Sequence, residues 1–222
     1  MNVDLSAVKT DKEVEAIMRM SERSIEALGF TEHSRRHSGI VSKWTGDILR
    51  ALGKDEDVVL LGEIAGYLHD IGNCINRHNH AQSGAVLAYR ILTRLGLSYS
   101  EAAAAMAAIG NHDEQHGLPV SDISAALIIA DKADVHKSRV KKEIENVLRA
   151  NIHDRVNLAA ERSYLEVDKE KSTITLFIEI DTGLCSVMDY FEIYFARMQL
   201  CRRAAQYLGC KFSLVINGAS LV

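Results

Sequence analysis

Apolar positions recur at helical spacing through the first two thirds of the chain. Thr10 and Glu13 have the spacing of a capping box, and Val14, Ile17, Ser21, Ile25 and Leu28 follow on one face before Gly29. A second helix, from about Thr31, carries Ile40, Val41, Trp44, Ile48 and Leu52 as an inward stripe and stops at Gly53. A third, from about Asp55, sets Leu61, Ile64 and Leu68 on one face before a polar loop between Gly72 and His80. A fourth runs from about Asn79 to Leu95, with Gly96 as its stop, and Ser98 with Glu101 forms a capping box for a fifth that ends near Ile109. Ser121 opens a sixth through Ile123, Leu127 and Ala130, with more helix expected to about Ala160.

Beyond that point the period changes from helical to alternating. Ile174, Leu176, Ile178 and Ile180 alternate with Thr173, Thr175, Phe177 and Glu179, as in a half-buried strand, and Tyr164 to Val167 can pair with it across a turn at Asp168 to Lys171. Ser186 to Leu208 reads as a long amphipathic helix and Lys211 to Ile216 as a last short strand. The predicted class is mainly α: an N-terminal helix over 1–29, a helical bundle over 30–150, and an α+β appendage over 151–222 with a short antiparallel sheet and a long helix. The Met188, Phe191, Phe195 and Met198 series reads as packing surface, and the appendage as a cover for the site or a homodimer contact.

Composition narrows the function. The 222 residues carry 26 basic and 30 acidic side chains, a net charge of -4, so the phosphate attraction that drives duplex nucleic-acid binding is missing. Small anionic substrates remain open wherever positive charge is local. Cys74, Cys185, Cys201 and Cys210 are too far apart for a CxxC zinc or redox pair and read as reduced, partly buried thiols. No stretch is long and apolar enough for a signal peptide or a membrane span, so no membrane partner and a cytoplasmic location are expected.

Nine histidines are present, and eight of them fall between positions 33 and 136. His33 lies seven residues before Ile40, and His80 lies four, seven and eleven before Gly84, Leu87 and Ile91. His112 follows Ile109 by three, Asp131 follows Leu127 by four, and His69 with Asp70 closes the third helix. Five segments thus aim imidazoles or carboxylates at the interior, where each unpartnered polar group costs roughly 1–3 kcal/mol. A shared cation resolves that cost. Four imidazoles with two carboxylates suit iron or manganese first, with zinc, nickel or cobalt next, and magnesium least because it prefers oxygen.

In order, His33, His69 and Asp70 in YLHDIGN, His80 in NHAQSGA, His112 in GNHDE and Asp131 in IADKAD resemble the two-metal branch of the HD-domain superfamily of metal-dependent phosphohydrolases. The resemblance spans about residues 30 to 140 and implies an HD-type helical bundle. It implies His33, His69, Asp70 and Asp131 as the core metal set, His80 and His112 as the added ligands of two-metal members, and Asp70 as the bridge, with His69 and Asp70 at the catalytic centre. Several relatives carry lysine after HDIG, where this chain has Asn73. Asn111, His112 and Asp113, with Gly117, Leu118 and Pro119, depart from the HHE and GYP signatures of the cyclic-dinucleotide phosphodiesterases of the superfamily.

The implied chemistry is water attack on a small phosphate ester or nucleotide, assisted by two divalent ions. Lys132, His136, Arg139 and Arg36 are the candidate phosphate contacts, although the basic run from Lys132 also reads as a solvated helix face. His37, His78, His116 and His153 have no slot in the pattern and read as supporting or solvated groups. Two alternatives stay open: a di-iron oxygenase of the same fold, and a metal or nucleotide sensor without turnover.

Overall fold

The computed structural model describes residues 3–28, 35–137 and 152–221. Gly29, His33 and Arg139, together with most of the helix expected between 138 and 151, lie outside these residues. The chain opens with a short helix that the periodicity did not show, α1 (Leu5–Thr10), capped by Asp4, whose carboxylate accepts from the Ala7 N–H at 2.7 Å. The Thr10 and Glu13 box does not form. Thr10 is still inside α1 and donates its hydroxyl to Ser6 O, while Asp11 turns the backbone and caps α2 (Lys12–Ala27), accepting from the Glu13 and Val14 N–H groups at 3.1 Å.

The bundle that carries the site is α3 (Arg35–Ala51), α4 (Glu56–Leu68), α5 (His80–Leu95), α6 (Tyr99–Gly110) and α7 (Asp122–Ala133). α4 ends at Leu68, and a 3-10 turn over Ile71–Cys74 fills part of the expected polar loop. Gly96, at φ 108, ends α5 in the left-handed conformation, and the Ser98 and Glu101 capping box opens α6. α3 packs on α4 and α7, and α5 on α6, around Ile48, Leu49, Ile64, Leu68, Ile91, Ile109, Leu127 and Ile128, all fully buried. The buried face of α3 runs through His37, Val41, Thr45 and Ile48, whereas Ile40 and Trp44 of the expected stripe are only half-buried. That small rotation of the helix has consequences at the site.

The C-terminal part comprises α8 (Ile152–Ala159), β1 (Ala160–Asp168), β2 (Thr173–Ile180), α9 (Val187–Tyr207), β3 (Lys211–Ile216) and β4 (Ala219–Ser220). The four strands lie in sequence order, but the sheet is mixed and not antiparallel throughout. β2 pairs with β3 in parallel, with Leu176 opposite Leu214 and Ile178 opposite Ile216. A parallel neighbour needs a crossover, and α9 supplies it, lying on the sheet on one side and on α7 on the other. Tyr190, Tyr194, Met198 and Cys201 make the buried face of α9, while Met188 and Phe195 of the expected packing series are exposed. All four cysteines are free thiols. No described helix is long and apolar enough to cross a membrane.

Candidate metal centre

Six side chains from the bundle converge at the junction of α3, α4, α5, α6 and α7. His69 and Asp70 leave the end of α4, His80 is the first residue of α5, His112 follows α6, and Asp131 sits in the last turn of α7. The sixth is His37, from the first turn of α3. His37, His69 and Asp70, then His69, His112 and Asp131, then Asp70, His80 and His112 form three overlapping triads whose ligand atoms all lie within 4.8 Å of one another. The five imidazole and carboxylate groups expected from α4 to α7 are thus brought together. His33 lies outside the described residues. His37, which sequence reasoning set aside as a supporting group, is the α3 histidine that reaches the cluster, because the helix turns the His37 and Val41 face inward.

Each imidazole is held by its Nδ1. His69 donates from Nδ1 to Gly66 O at 2.8 Å, His80 to Arg77 O at 3.0 Å and His112 to Ile109 O at 2.7 Å, since a carbonyl can only accept. His37 Nδ1 meets Asp134 Oδ2 at 2.7 Å. Every Nε2 is therefore aimed inward. His80 Nε2 and His112 Nε2 stand 3.2 Å apart, and Asp70 Oδ1 is 3.3 Å from the first and 3.9 Å from the second. On the other side, Asp70 Oδ2 lies 3.4 Å from His69 Nε2 and 3.9 Å from His37 Nε2, and Asp131 Oδ1 lies 3.6 Å and 3.2 Å from the same two nitrogens. His69 Nε2 is buried and makes no hydrogen bond. Lone pairs facing one another in a buried space need a positive charge between them, and imidazoles fixed at the far nitrogen by carbonyls and a carboxylate are the usual support of metal ligands. The donor set fits divalent transition-metal ions.

The electrostatics of the ion-free protein follow from the same geometry. Burial pushes the His69 imidazole down, but Asp70 and Asp131 outweigh it and lift its pKa to about 10. His112 is driven below its ordinary value, by burial first and then by the charge on His69. Burial would raise the Asp131 carboxyl, yet the charge on Lys132 and the neighbouring His37 and His69 imidazoles hold it well below the usual carboxylate range.

Among the described residues, the expected phosphate contacts do not form an open cationic face. Lys132 is buried, with Nζ 2.6 Å from Asp131 Oδ2 and 2.7 Å from Glu114 Oε2. Glu114 in turn accepts from Arg197 Nε of α9 at 3.1 Å. A chain of alternating charge, buried at Lys132 and part-buried at Glu114 and Arg197, thus ties the C-terminal helix to the back of the candidate metal centre, and Lys132 leaves only Oδ1 of Asp131 facing the imidazoles. Arg36 is engaged with Asp134 at 3.4 Å. His136 is half-buried, its pKa lowered by burial and by Arg36, and Arg139 is outside the described residues. Sequence reasoning gave His37 only a supporting role, read Glu114 as a solvated loop carboxylate and missed Asp134. His37 stands four residues before buried Val41, and Asp134 three after Asp131, which are the only signals the sequence held for them.

The sequence pattern of the HD domain matches residues 32–138, the stretch that carries all six of these side chains. This stretch is an HD domain. The chain is 27% identical over 206 residues to an uncharacterized protein of Methanocaldococcus jannaschii, covering 82% of this chain and 76% of that one. A crystal structure of a predicted HD superfamily hydrolase from an uncultured Thermotogales bacterium aligns at a TM-score of 0.44 and 22% identity, over 60% of this chain and 75% of the other. The match of the HD pattern begins upstream of α3 and ends just past α7, so α8, α9 and the sheet lie beyond it.

Proposed function

We propose that the chain is a metal-dependent phosphohydrolase that holds two divalent ions and cleaves a small phosphate ester or nucleotide. The observation that carries this reading is the division of Asp70, whose Oδ2 faces His37 and His69 while its Oδ1 faces His80 and His112. One group of donors, His37, His69, Asp131 and Asp70 Oδ2, would hold the first ion. The other, His80, His112 and Asp70 Oδ1, would hold the second.

Bound divalent ions supply Lewis acidity, which lowers the pKa of water toward neutrality and neutralises charge on phosphoryl oxygens. The chain's own residues do the rest. Carbonyls of Gly66, Arg77 and Ile109 fix three imidazoles in one tautomer, so their orientation costs nothing at the moment of reaction. Lys132 occupies the outer oxygen of Asp131 and keeps that carboxylate ionised beside the site. The burial of all four imidazoles and Asp70 excludes bulk water and strengthens each charge interaction.

Metal analysis of the purified protein, followed by phosphate release across nucleotides and simple esters, tests the reading. Two ions per chain and phosphate release are expected, with both lost in Asp70→Ala. Phosphate release that persists in Asp70→Ala or in metal-free protein would reject it, and oxygen uptake by the iron-loaded protein without phosphate release would favour the oxygenase chemistry instead.

A further inference from the structure

Arg77 sits in the short loop between the 3-10 turn and α5, and its guanidinium enters the second donor group. Nη1 is 3.3 Å from His80 Nε2, 3.4 Å from Asn73 Oδ1 and 3.8 Å from Asp70 Oδ1. Because His80 Nδ1 donates to the carbonyl of Arg77 itself, His80 Nε2 carries a lone pair and can only accept. The amide oxygen of Asn73 and the carboxylate of Asp70 are acceptors as well. A permanent positive charge is therefore placed against the atoms that a second ion would need, and the two cations cannot share them.

Arg77 is also partly open to solvent. Its side chain is 25% exposed, so it reaches the donors from the solvent side, and the neighbouring Ile75, Asn76, His78 and Asn79 are exposed. Its three contacts at the site are long for charge-assisted hydrogen bonds. By contrast, Lys132 and Arg197 are committed to Glu114, and Arg36 to Asp134. We propose that Arg77 is a displaceable counter-cation of the His80, His112 and Asp70 group: a divalent ion taking those donors moves the guanidinium outward, where it binds the phosphoryl oxygens of the substrate. The second half of this proposal rests on the phosphohydrolase reading, and the first half does not. It also gives a physical role to the position after HDIG, since Asn73 holds the guanidinium one helical turn further along.

The test is a titration of ion-free wild-type protein, Arg77→Ala and Arg77→Lys with Mn2+, read by the paramagnetic resonance of free Mn2+. The first ion should bind alike in all three, and the second about tenfold more tightly or better in Arg77→Ala, with Arg77→Lys between them. A second ion that binds no more tightly in Arg77→Ala overturns the displacement. With p-nitrophenyl phosphate and Mn2+-loaded proteins, KM should rise in Arg77→Ala far more than kcat falls, and Arg77→Lys should recover part of the loss. An unchanged KM overturns the phosphoryl contact. Absence of phosphate release in every protein, wild type included, would instead fault the hydrolase reading, while the Mn2+ titration would still decide the displacement.

Discussion

Asp134 holds the Nδ1 of His37 at 2.7 Å, and both side chains are buried. This pair turns the α3 imidazole so that its Nε2 faces Asp70 and Asp131. Removing such a support costs about 10–100-fold in metal affinity in comparable centres. Asp134→Asn should therefore weaken binding of the first ion by that order while leaving the fold intact, and His37→Ala should weaken it further. Competition with a chelator of known affinity measures both. Equal affinity in wild type and His37→Ala would return the α3 ligand position to another residue.

Much of the centre was legible because the HD motif and the helical spacing of His80, His112 and Asp131 each point to the interior independently. The approach of His37 to the cluster was harder to see, since it depends on a rotation of α3 that brings His37, Val41 and Ile48 inward and leaves Ile40 and Trp44 half-buried. Both faces of that helix carry apolar residues, so periodicity alone could not choose between them. The fate of Lys132 was not legible either. Its partners, Glu114 and, through it, Arg197, are distant in sequence, and nothing local marks a lysine as buried rather than solvated. The parallel pairing of β2 with β3 follows from the α9 crossover, a tertiary arrangement that the alternation of strand residues does not encode.

Gly72 of the HDIG motif lies where the 3-10 turn meets the start of α5. A Cβ at this position would overlap His80 O and crowd Gly84 N, both backbone atoms that cannot swing aside. Gly72→Ala must push α5 away from the turn, which moves His80 relative to Asp70. Stability should fall by about 1–3 kcal/mol, as for other overpacked sites, and the second ion should be lost before the first. Urea denaturation and metal stoichiometry report the two effects separately. A variant as stable as wild type that still binds two ions would show that this close approach is not required.

Glu114 links α9 to the candidate metal centre, and its low pKa makes the fold sensitive to acid. Burial would raise its carboxyl, but Lys132 and Arg197 outweigh burial and hold it well below the usual range. The folded pKa lies below the unfolded value near 4.5, so the unfolded chain binds the proton more readily. The stabilisation is complete above that value and is lost as pH falls below it toward the folded pKa. Glu114→Gln should cost about 3–5 kcal/mol at neutral pH, because buried Lys132 and part-buried Arg197 lose their shared counter-charge, and should flatten the stability profile below about pH 4.5. Urea midpoints across that range provide the measurement, and an unaltered acid slope would show that Glu114 does not set it.

The charge on His69 predicts that metal uptake is a proton exchange. In the ion-free protein the charges of Asp70 and Asp131 overcome burial and lift its pKa to about 10, above the ordinary 6.5. A raised folded value means that protonation stabilises the ion-free fold fully below about pH 6.5 and that this contribution disappears as pH rises through about 10. A metal ion at His69 Nε2 must displace that proton, whereas His112, pushed below its ordinary value, has none to give at neutral pH. Binding of the first ion should therefore release about one proton from this residue at about pH 8, and its affinity should fall about tenfold for each pH unit toward acid. Calorimetric titrations in buffers of different ionisation enthalpy count the released protons. A count near zero would mean that His69 is already neutral in the ion-free protein, so that Asp70 and Asp131 do not outweigh its burial.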